Sequence, residues 1–510
     1  MNIFGLIDIP IWLLLLISII VLIYLYLTWN LDIYKDTGIP GPPPSTLYLL
    51  KKMLKDGLVD THTELIQTYG PVVGLFMGRI PTCIVGDPDL IKEICVKQAT
   101  SKFPDRLVNS SVPKQLENSM QFLEGEHWKF VRGHISPTFS TGKLKETVPL
   151  IHKCCDTLMM AIERLSKTDE NIDTKKLFAC FSMDIIASIS FGMEIDSQDD
   201  PNNKFVKHAN SLMVNKKAVF IAMVCLIFPF MKKVFAYFNI WGGGNEALDF
   251  FERATAAAIE ERIKGKQDRK DFLQLMINAR KEGVIDPDFK PANPEEWKNR
   301  GLTNGEIYAN SMLFFVAAYE TVSLNLTFLA YSLAINPEIQ DELIGEIDGE
   351  LRGEKPTYDH VFNKMPYLDK VMCESLRLFP PAQLSTRLTR EDVTIGGYKF
   401  KKGMDIHIPI CHLQKNPDFF PEPEVFNPER FTEEEKSKRN PYTYIPFGIG
   451  PRSCVGMRLA MLEARVAIVC LLQKYRIGTT EKTTIPVEIE QIGFTRPKGI
   501  LHLKFEKRSD

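Results

Sequence analysis

The sequence predicts one large, mainly helical domain behind a single N-terminal membrane-spanning helix. Three observations carry this reading: an apolar run at the start, long helical periodicities with their own start and stop signals, and the lack of any internal linker. The chain has 510 residues, a length that on average holds about three domains. Between residue 46 and the C-terminus, however, there is no linker, no repeat and no segment of low complexity. With 45% hydrophobic and 25% charged residues, the composition is that of a globular protein with ample core. A formal net charge of −2 argues against nucleic-acid binding as the main task. The ten cysteines include no C-x-x-C pair and no periodic framework, which fits reduced thiols facing the cytosol.

The first element is the run Ile9 to Trp29, interrupted only by Pro10, Ser18 and Thr28 and long enough to span a bilayer once. No Lys or Arg precedes it, whereas Lys35, Lys51, Lys52 and Lys55 follow, so the bulk of the chain is expected on the cytosolic side. A cleaved signal would need a basic start, a shorter core and a small-residue cleavage site. We divide the chain into a membrane anchor (residues 1–34), a proline-rich hinge (35–45) and a catalytic domain (46–510). The hinge contains Ile39-Pro40-Gly41-Pro42-Pro43-Pro44, a stiff spacer. The sequon Asn109-Ser110-Ser111 is then expected to face the cytosol and stay unglycosylated.

A second apolar stretch, Ala218 to Met231, is too short to span. Lys216, Lys217, Lys232 and Lys233 flank it, and Phe235, Tyr237, Phe238 and Trp241 follow, as in a segment lying at the lipid boundary. The competing reading is a buried core helix.

Trp128 and Arg132 lie at i, i+4 on a helical pattern and reach one surface. Thr303-Asn304-Gly305-Glu306 is a capping box that opens a long helix through Met312, Phe315, Val316, Tyr319 and Leu324, ending before Pro337. Mid-helix stands Ala317-Ala318-Tyr319-Glu320-Thr321. There the Thr321 hydroxyl can bond the Ala317 carbonyl and loosen the ladder. Glu374 and Arg377 share a helix face just before Phe379-Pro380-Pro381 stops the helix. The most informative stretch is Phe447-Gly448-Ile449-Gly450-Pro451-Arg452-Ser453-Cys454-Val455-Gly456, followed at once by helical periodicity from Met457. A thiolate at a helix N-terminus is a good axial ligand for haem iron. Glycines let the backbone pass close under a flat macrocycle. Phe447 is placed to shield the sulfur and Arg452 to meet a propionate.

These residues resemble the cytochrome P450 signature F-x-x-G-x-R-x-C-x-G at every fixed position: Phe447, Gly450, Arg452, Cys454 and Gly456. The resemblance covers the whole chain, and most closely the animal microsomal clan that oxidises xenobiotics and steroids. It implies a mostly helical prism with small β-sheets and a haem b cofactor whose iron takes Cys454. Glu320 and Thr321 resemble the acid–alcohol pair of proton delivery. Ala318 stands where glycine is usual, and its methyl is expected to narrow the groove above the haem. Glu374 and Arg377 resemble the E-x-x-R pair, and Pro428-Glu429-Arg430-Phe431 the P-E-R-F segment whose arginine completes a buried network. These three charged residues are expected to be structural. Trp128 with Arg132 resembles W-x-x-x-R, and Arg106 and Arg387 are implied as further propionate partners. The pocket walls implied are Phe122, Phe314, Ala317, Ala318, Ala382, Gln383, Leu384 and Phe494.

The function implied is monooxygenation of a lipophilic small molecule in the endoplasmic reticulum membrane. The Gly242-Gly243-Gly244 run lacks the dinucleotide fingerprint, no flavin or nicotinamide module is evident, and the nine histidines show no zinc spacing. Electrons are therefore expected from an NADPH–cytochrome P450 reductase, with cytochrome b5 as a possible aid, and no nucleic acid is expected as a partner. Two alternatives use fewer of these residues. A haem-thiolate isomerase or lyase would not need Glu320 and Thr321, and a membrane-bound haem or lipid carrier would need no chemistry at all.

Overall fold

A computed structural model describes the chain except residues 1, 4–6, 9, 10, 30, 109, 110, 201, 213–215, 266–270, 281–295, 297–299, 491, 492, 509 and 510. Asn109 and Ser110 of the sequon thus lie outside the described residues. The central helix, Asn304–Ile335, begins at the expected capping box. The Glu306 N–H donates to the Thr303 hydroxyl at 3.2 Å, and the Thr303 N–H to the Glu306 carboxylate at 2.8 Å. The helix stops at Asn336 because Pro337 opens the next one and disfavours helical backbone in the residue before it. Every side chain from Val322 to Leu333 is buried, as in a helix enclosed on all sides.

Helix Thr174–Phe191 runs along this central helix, and Thr141–Ser166 and Met457–Lys474 complete the packing. Leu158, Ile162, Leu326, Leu329, Leu462, Val466 and Val469 meet in one core cluster. Trp128, Met183, Phe251, Phe315 and Tyr319 belong to a second. The sheets are small, as the resemblance implies. The largest has the order Val72–Met77, Ile80–Val85, Asp405–Pro409, Leu384–Leu388, its middle pair parallel and the outer two pairs antiparallel. A three-stranded sheet joins Tyr475–Gly478, His502–Lys507 and Ile172–Asp173.

Helix Ile11–Thr28 carries no buried residue, and the most apolar 18-residue window of Ile11–Tyr34 has a mean hydropathy of 2.7. The central helix is also long and apolar enough to cross a membrane, but it is 72% buried and belongs to the core. The second apolar stretch overlaps a longer segment, Lys204–Ile227, whose most apolar 18-residue window has a mean hydropathy of 1.5, enough by length and composition to span, with residues 213–215 outside the described ones. Its packing argues for a surface element. Ile221, Cys225 and Leu226 are buried, and the Leu226 carbonyl accepts the Arg79 N–H at 2.8 Å. Phe220, Phe230, Tyr237 and Phe238 are exposed, so the stretch is not the buried core helix that was the competing reading. The anchor helix meets this outer face. Tyr26 stacks on Phe228 with ring centroids 5.5 Å apart, and its hydroxyl donates to the Ile227 carbonyl at 3.0 Å.

Glu374 and Arg377, at the end of helix Pro366–Leu378, are fully buried and joined by two bonds of 2.7 Å. Glu374 also accepts the Asn427 N–H at 2.9 Å, and Arg430 stands 3.4 Å away. Arg377 donates to the carbonyls of Gln414 at 3.0 Å and Val425 at 3.2 Å. Gln414, which the sequence reading passed over, ties in the Leu376 and Arg377 carbonyls and the Ile445 N–H. The network therefore fastens this helix to the chain leading into the cysteine loop.

Two outcomes are expected. In protein lacking residues 1–34, replacing Phe228 and Phe230 by serine will markedly lower co-sedimentation with liposomes. Arg377→Ala leaves the Glu374 carboxylate buried without its bidentate partner. It should lower stability by about 3–5 kcal/mol in denaturant titrations.

Candidate active site

The cysteine loop is wound tightly. The Cys454 N–H donates to the Phe447 carbonyl at 2.9 Å, and the Ser453 N–H to the Gly450 carbonyl at 3.0 Å. Gly448 and Gly450 have φ of 69° and 75°, in the region that disfavours side chains. The demand on Gly450 comes from the protein itself and not only from a macrocycle. A Cβ there would lie 1.8 Å from the Cys95 carbonyl oxygen, so the loop can rest on segment Glu93–Lys97 only with glycine. Phe447 is half-buried against the core beneath helix Met457–Lys474.

The Cys454 side chain is exposed, although it is ringed by protein. That enclosure pushes its thiol up. The N–H groups of Gly456 and Met457 and the guanidinium groups of Arg132 and Arg106 pull the other way. The sulfur thus meets the positive end of helix Met457–Lys474.

Four arginines surround the loop. Arg106 donates to the Arg452 carbonyl at 2.8 Å, and Arg387 to the Ile449 carbonyl at 3.0 Å, so both brace its backbone. Among the described residues Arg132 has no carboxylate partner, and it approaches the Met120 sulfur at 4.0 Å. Arg452 has protein partners of its own. Its guanidinium faces Asp105 at 3.3 Å, donates to the Pro104 and Leu123 carbonyls, and lies 3.9 Å from the centre of the Trp128 ring. Asp105, unremarked in the sequence reading, also pairs with Arg390 at 2.6 Å. Trp128, buried, serves as the platform for that cation.

Like charges crowd one another here. Burial and then Arg387 lower Arg106 to about 10, and burial and then Arg106 lower Arg452 to about 9, with Asp105 opposing. Among the described residues the Nε atoms of Arg106 and Arg387 are buried without a partner. Unfilled donors on an excess of positive charge suit a flat ligand with two carboxylates, and an exposed thiol at a helix N-terminus suits its metal. The residues present fit a haem. Among the described residues no cluster of three or more His, Cys, Asp or Glu could hold a free metal ion.

The central helix carries the segment Ala317–Thr321. Ala317 is exposed and Thr321 half-buried among buried neighbours, with Leu313 and Val316 beside them. The Thr321 hydroxyl donates to the Ala317 carbonyl at 2.7 Å. Ala318 is half-buried against the second core cluster, and its carbonyl accepts the Ser182 hydroxyl at 3.1 Å. Glu320, 1% exposed, is closed off from the cleft. Its carboxylate pairs with Arg496 at 2.6 Å and Lys175 at 3.4 Å, partners too distant in sequence to be read from a motif.

Of the implied pocket walls, Phe122, Ala382, Leu384 and Phe494 are half-buried, and Ala382 bridges Phe494 backbone to backbone. Two others are buried. Phe314 stands edge-on against Phe272, with ring centroids 4.2 Å apart, and near Phe139. Gln383 is buried and lines a cavity of about 170 Å³ with Asp60, Phe379, Cys411 and Lys415.

A family model described as cytochrome P450 matches residues 39–505. Cytochrome P450 3A12 of Canis lupus familiaris is 37% identical over 499 residues, covering 98% of this chain and 96% of the relative. Cytochrome P450 3A9 of Rattus norvegicus is 37% identical over 503 residues, covering 98% and 97%. Cytochrome P450 3A6 of Oryctolagus cuniculus is 36% identical over 499 residues, covering 98% and 97%.

Gly450→Ala would force the loop off the Cys95 carbonyl and strain its backbone. The expected cost is about 3 kcal/mol, seen as a lower melting temperature together with less haem retained per chain.

Proposed function

This chain belongs to the cytochrome P450 family, and on that premise we propose a membrane-anchored monooxygenase that inserts one atom of O2 into a lipophilic small molecule, using electrons from NADPH. Membership makes the protein a haem-thiolate enzyme. The observation that carries the reading is the pairing of an exposed Cys454 sulfur, backed by a helix N-terminus, with buried guanidinium donors left unfilled above it.

In this reading the haem, when bound, supplies oxidising power through iron ligated by the thiolate. Cys454 provides that ligand, and Gly456 and Met457 hold its sulfur with their N–H groups. Arg106, Arg132 and Arg387 would take the two carboxylates, while Arg452 stays with Asp105 and Trp128 and keeps the loop in place. Thr321 Oγ1 handles protons at the cleft. Its own proton goes to the Ala317 carbonyl, which leaves its lone pairs free to accept a bond from a water or a reacting oxygen. Glu320 is the proposed proton source behind it, and it must leave its ion pairs to serve. Ala317, Leu313, Val316, Phe122, Ala382, Leu384 and Phe494 present apolar surface, which suits a lipophilic substrate.

The electron donor is proposed as a diflavin NADPH–cytochrome P450 reductase, with cytochrome b5 as an auxiliary. The proposed site of action is the cytosolic face of the endoplasmic reticulum, on the strength of the lysines that follow the anchor. The test is turnover of a panel of lipophilic probes by the purified protein with reductase and NADPH under labelled dioxygen. One labelled oxygen per product molecule is expected, and unlabelled product would reject oxygen insertion. Thr321→Ala should raise peroxide release several-fold relative to product while leaving the absorbance of the carbonyl complex unchanged.

A further inference from the structure

The acid that this reading relies on is held by the same short segment that carries a proposed substrate wall. Glu320 Oε1 accepts the Arg496 Nε–H at 2.6 Å and faces Lys175 Nζ at 3.4 Å, whereas Oε2 is buried with no partner among the described residues. Arg496 is equally half-used. Its Nη2 is buried without a partner among the same residues, and its Nη1 stands 3.9 Å from the Glu490 carboxylate. The two idle atoms, Oε2 and Nη2, are the pair that a second, parallel bond of an arginine–carboxylate fork would use. The contact is therefore a one-point pairing between groups whose chemistry favours two.

Arg496 lies two residues from Phe494, and its guanidinium carbon is 5.8 Å from the centre of that ring. Phe494 bridges Ala382, and Thr495 is fastened on the outer side by its N–H to the Pro381 carbonyl at 3.0 Å and its hydroxyl to the Pro380 carbonyl at 2.6 Å. The Glu490 N–H donates to the Arg496 carbonyl at 2.8 Å. A load on Phe494 is thus passed along two residues to a guanidinium that is 13% exposed, in contact with a carboxylate that is 1% exposed. Separating such a pair leaves a charge uncompensated at low dielectric, so the carboxylate must follow the cation or turn fully to Lys175.

We infer that Arg496 is a positioning residue: it couples the place of Phe494 to the orientation of Glu320, so that the bulk of a bound molecule sets whether the acid is withdrawn or released toward Thr321. This rests on the proposed role of Glu320. It adds that access to the acid depends on what occupies the pocket.

The test uses full-length, haem-loaded protein and amide hydrogen exchange, with imidazole as a small iron-binding probe and clotrimazole as a bulky one. In the wild type, clotrimazole should change exchange several-fold in both 493–498 and 317–323, and imidazole in neither. In Arg496→Gln the 493–498 response should persist and the 317–323 response vanish, and Arg496→Lys should restore part of it. An unaltered carbonyl-complex spectrum in each variant shows that the fold and the thiolate ligand are intact. A 317–323 response that survives in Arg496→Gln, or a wild type in which that segment is silent, overturns the inference. Failure of the underlying reading is a different result: wild-type protein that makes no product with reductase and NADPH, or Glu320→Gln with unchanged coupling of electrons to product.

Discussion

The arrangement depends on an imbalance of charge. Arg106, Arg132, Arg387 and Arg452 gather round one loop, and among the described residues Asp105 pairs with one of them, Arg452. Guanidinium groups stay protonated at neutral pH even when burial and mutual repulsion lower them as they do here. The polypeptide holds two of them, Arg106 and Arg387, by giving their N–H groups backbone carbonyls of the cysteine loop itself. The same contacts that confine the cations thus shape the support for the sulfur. A dianionic cofactor completes the set, and cofactor affinity and loop geometry become one property.

A second buried network fixes that loop from behind. Glu374, Arg377 and Gln414 satisfy one another and a series of carbonyl and N–H groups from the meander before the loop. A buried ion pair need not stabilise relative to apolar residues, but it tolerates few geometries. Such intolerance suits a segment that must present one sulfur at one height. Surface pairs such as Lys167 with Glu163 are exposed and contribute little by comparison.

Much of this was legible in the residues. The capping box at Thr303, the Thr321 bond to the Ala317 carbonyl, the stop at Pro337 and the Glu374–Arg377 pair are local events, governed by spacings of three or four residues, and local chemistry decides them. The P450 signature around Cys454 carried the family. The features that could not be read are long-range. Asp105 meets Arg452 across 347 positions and Arg496 meets Glu320 across 176, pairings that only the folded topology creates. Phe314, expected as a pocket wall, also packs against Phe272 and Phe139, contacts that its position in the helix does not disclose. Gly450 was expected to be glycine for the cofactor's sake, and the Cys95 carbonyl proves an equally strict reason.

The stacking of Tyr26 on Phe228 has a bearing on how the enzyme sits on its membrane. A domain tethered only through a proline spacer could pivot; one gripped also at Phe228 has two attachment points and so a preferred tilt. Cutting away the first helix therefore does more than solubilise the remainder. It uncovers a greasy patch that in aqueous buffer has only other copies of itself to adhere to, so shortened preparations are inclined to cluster.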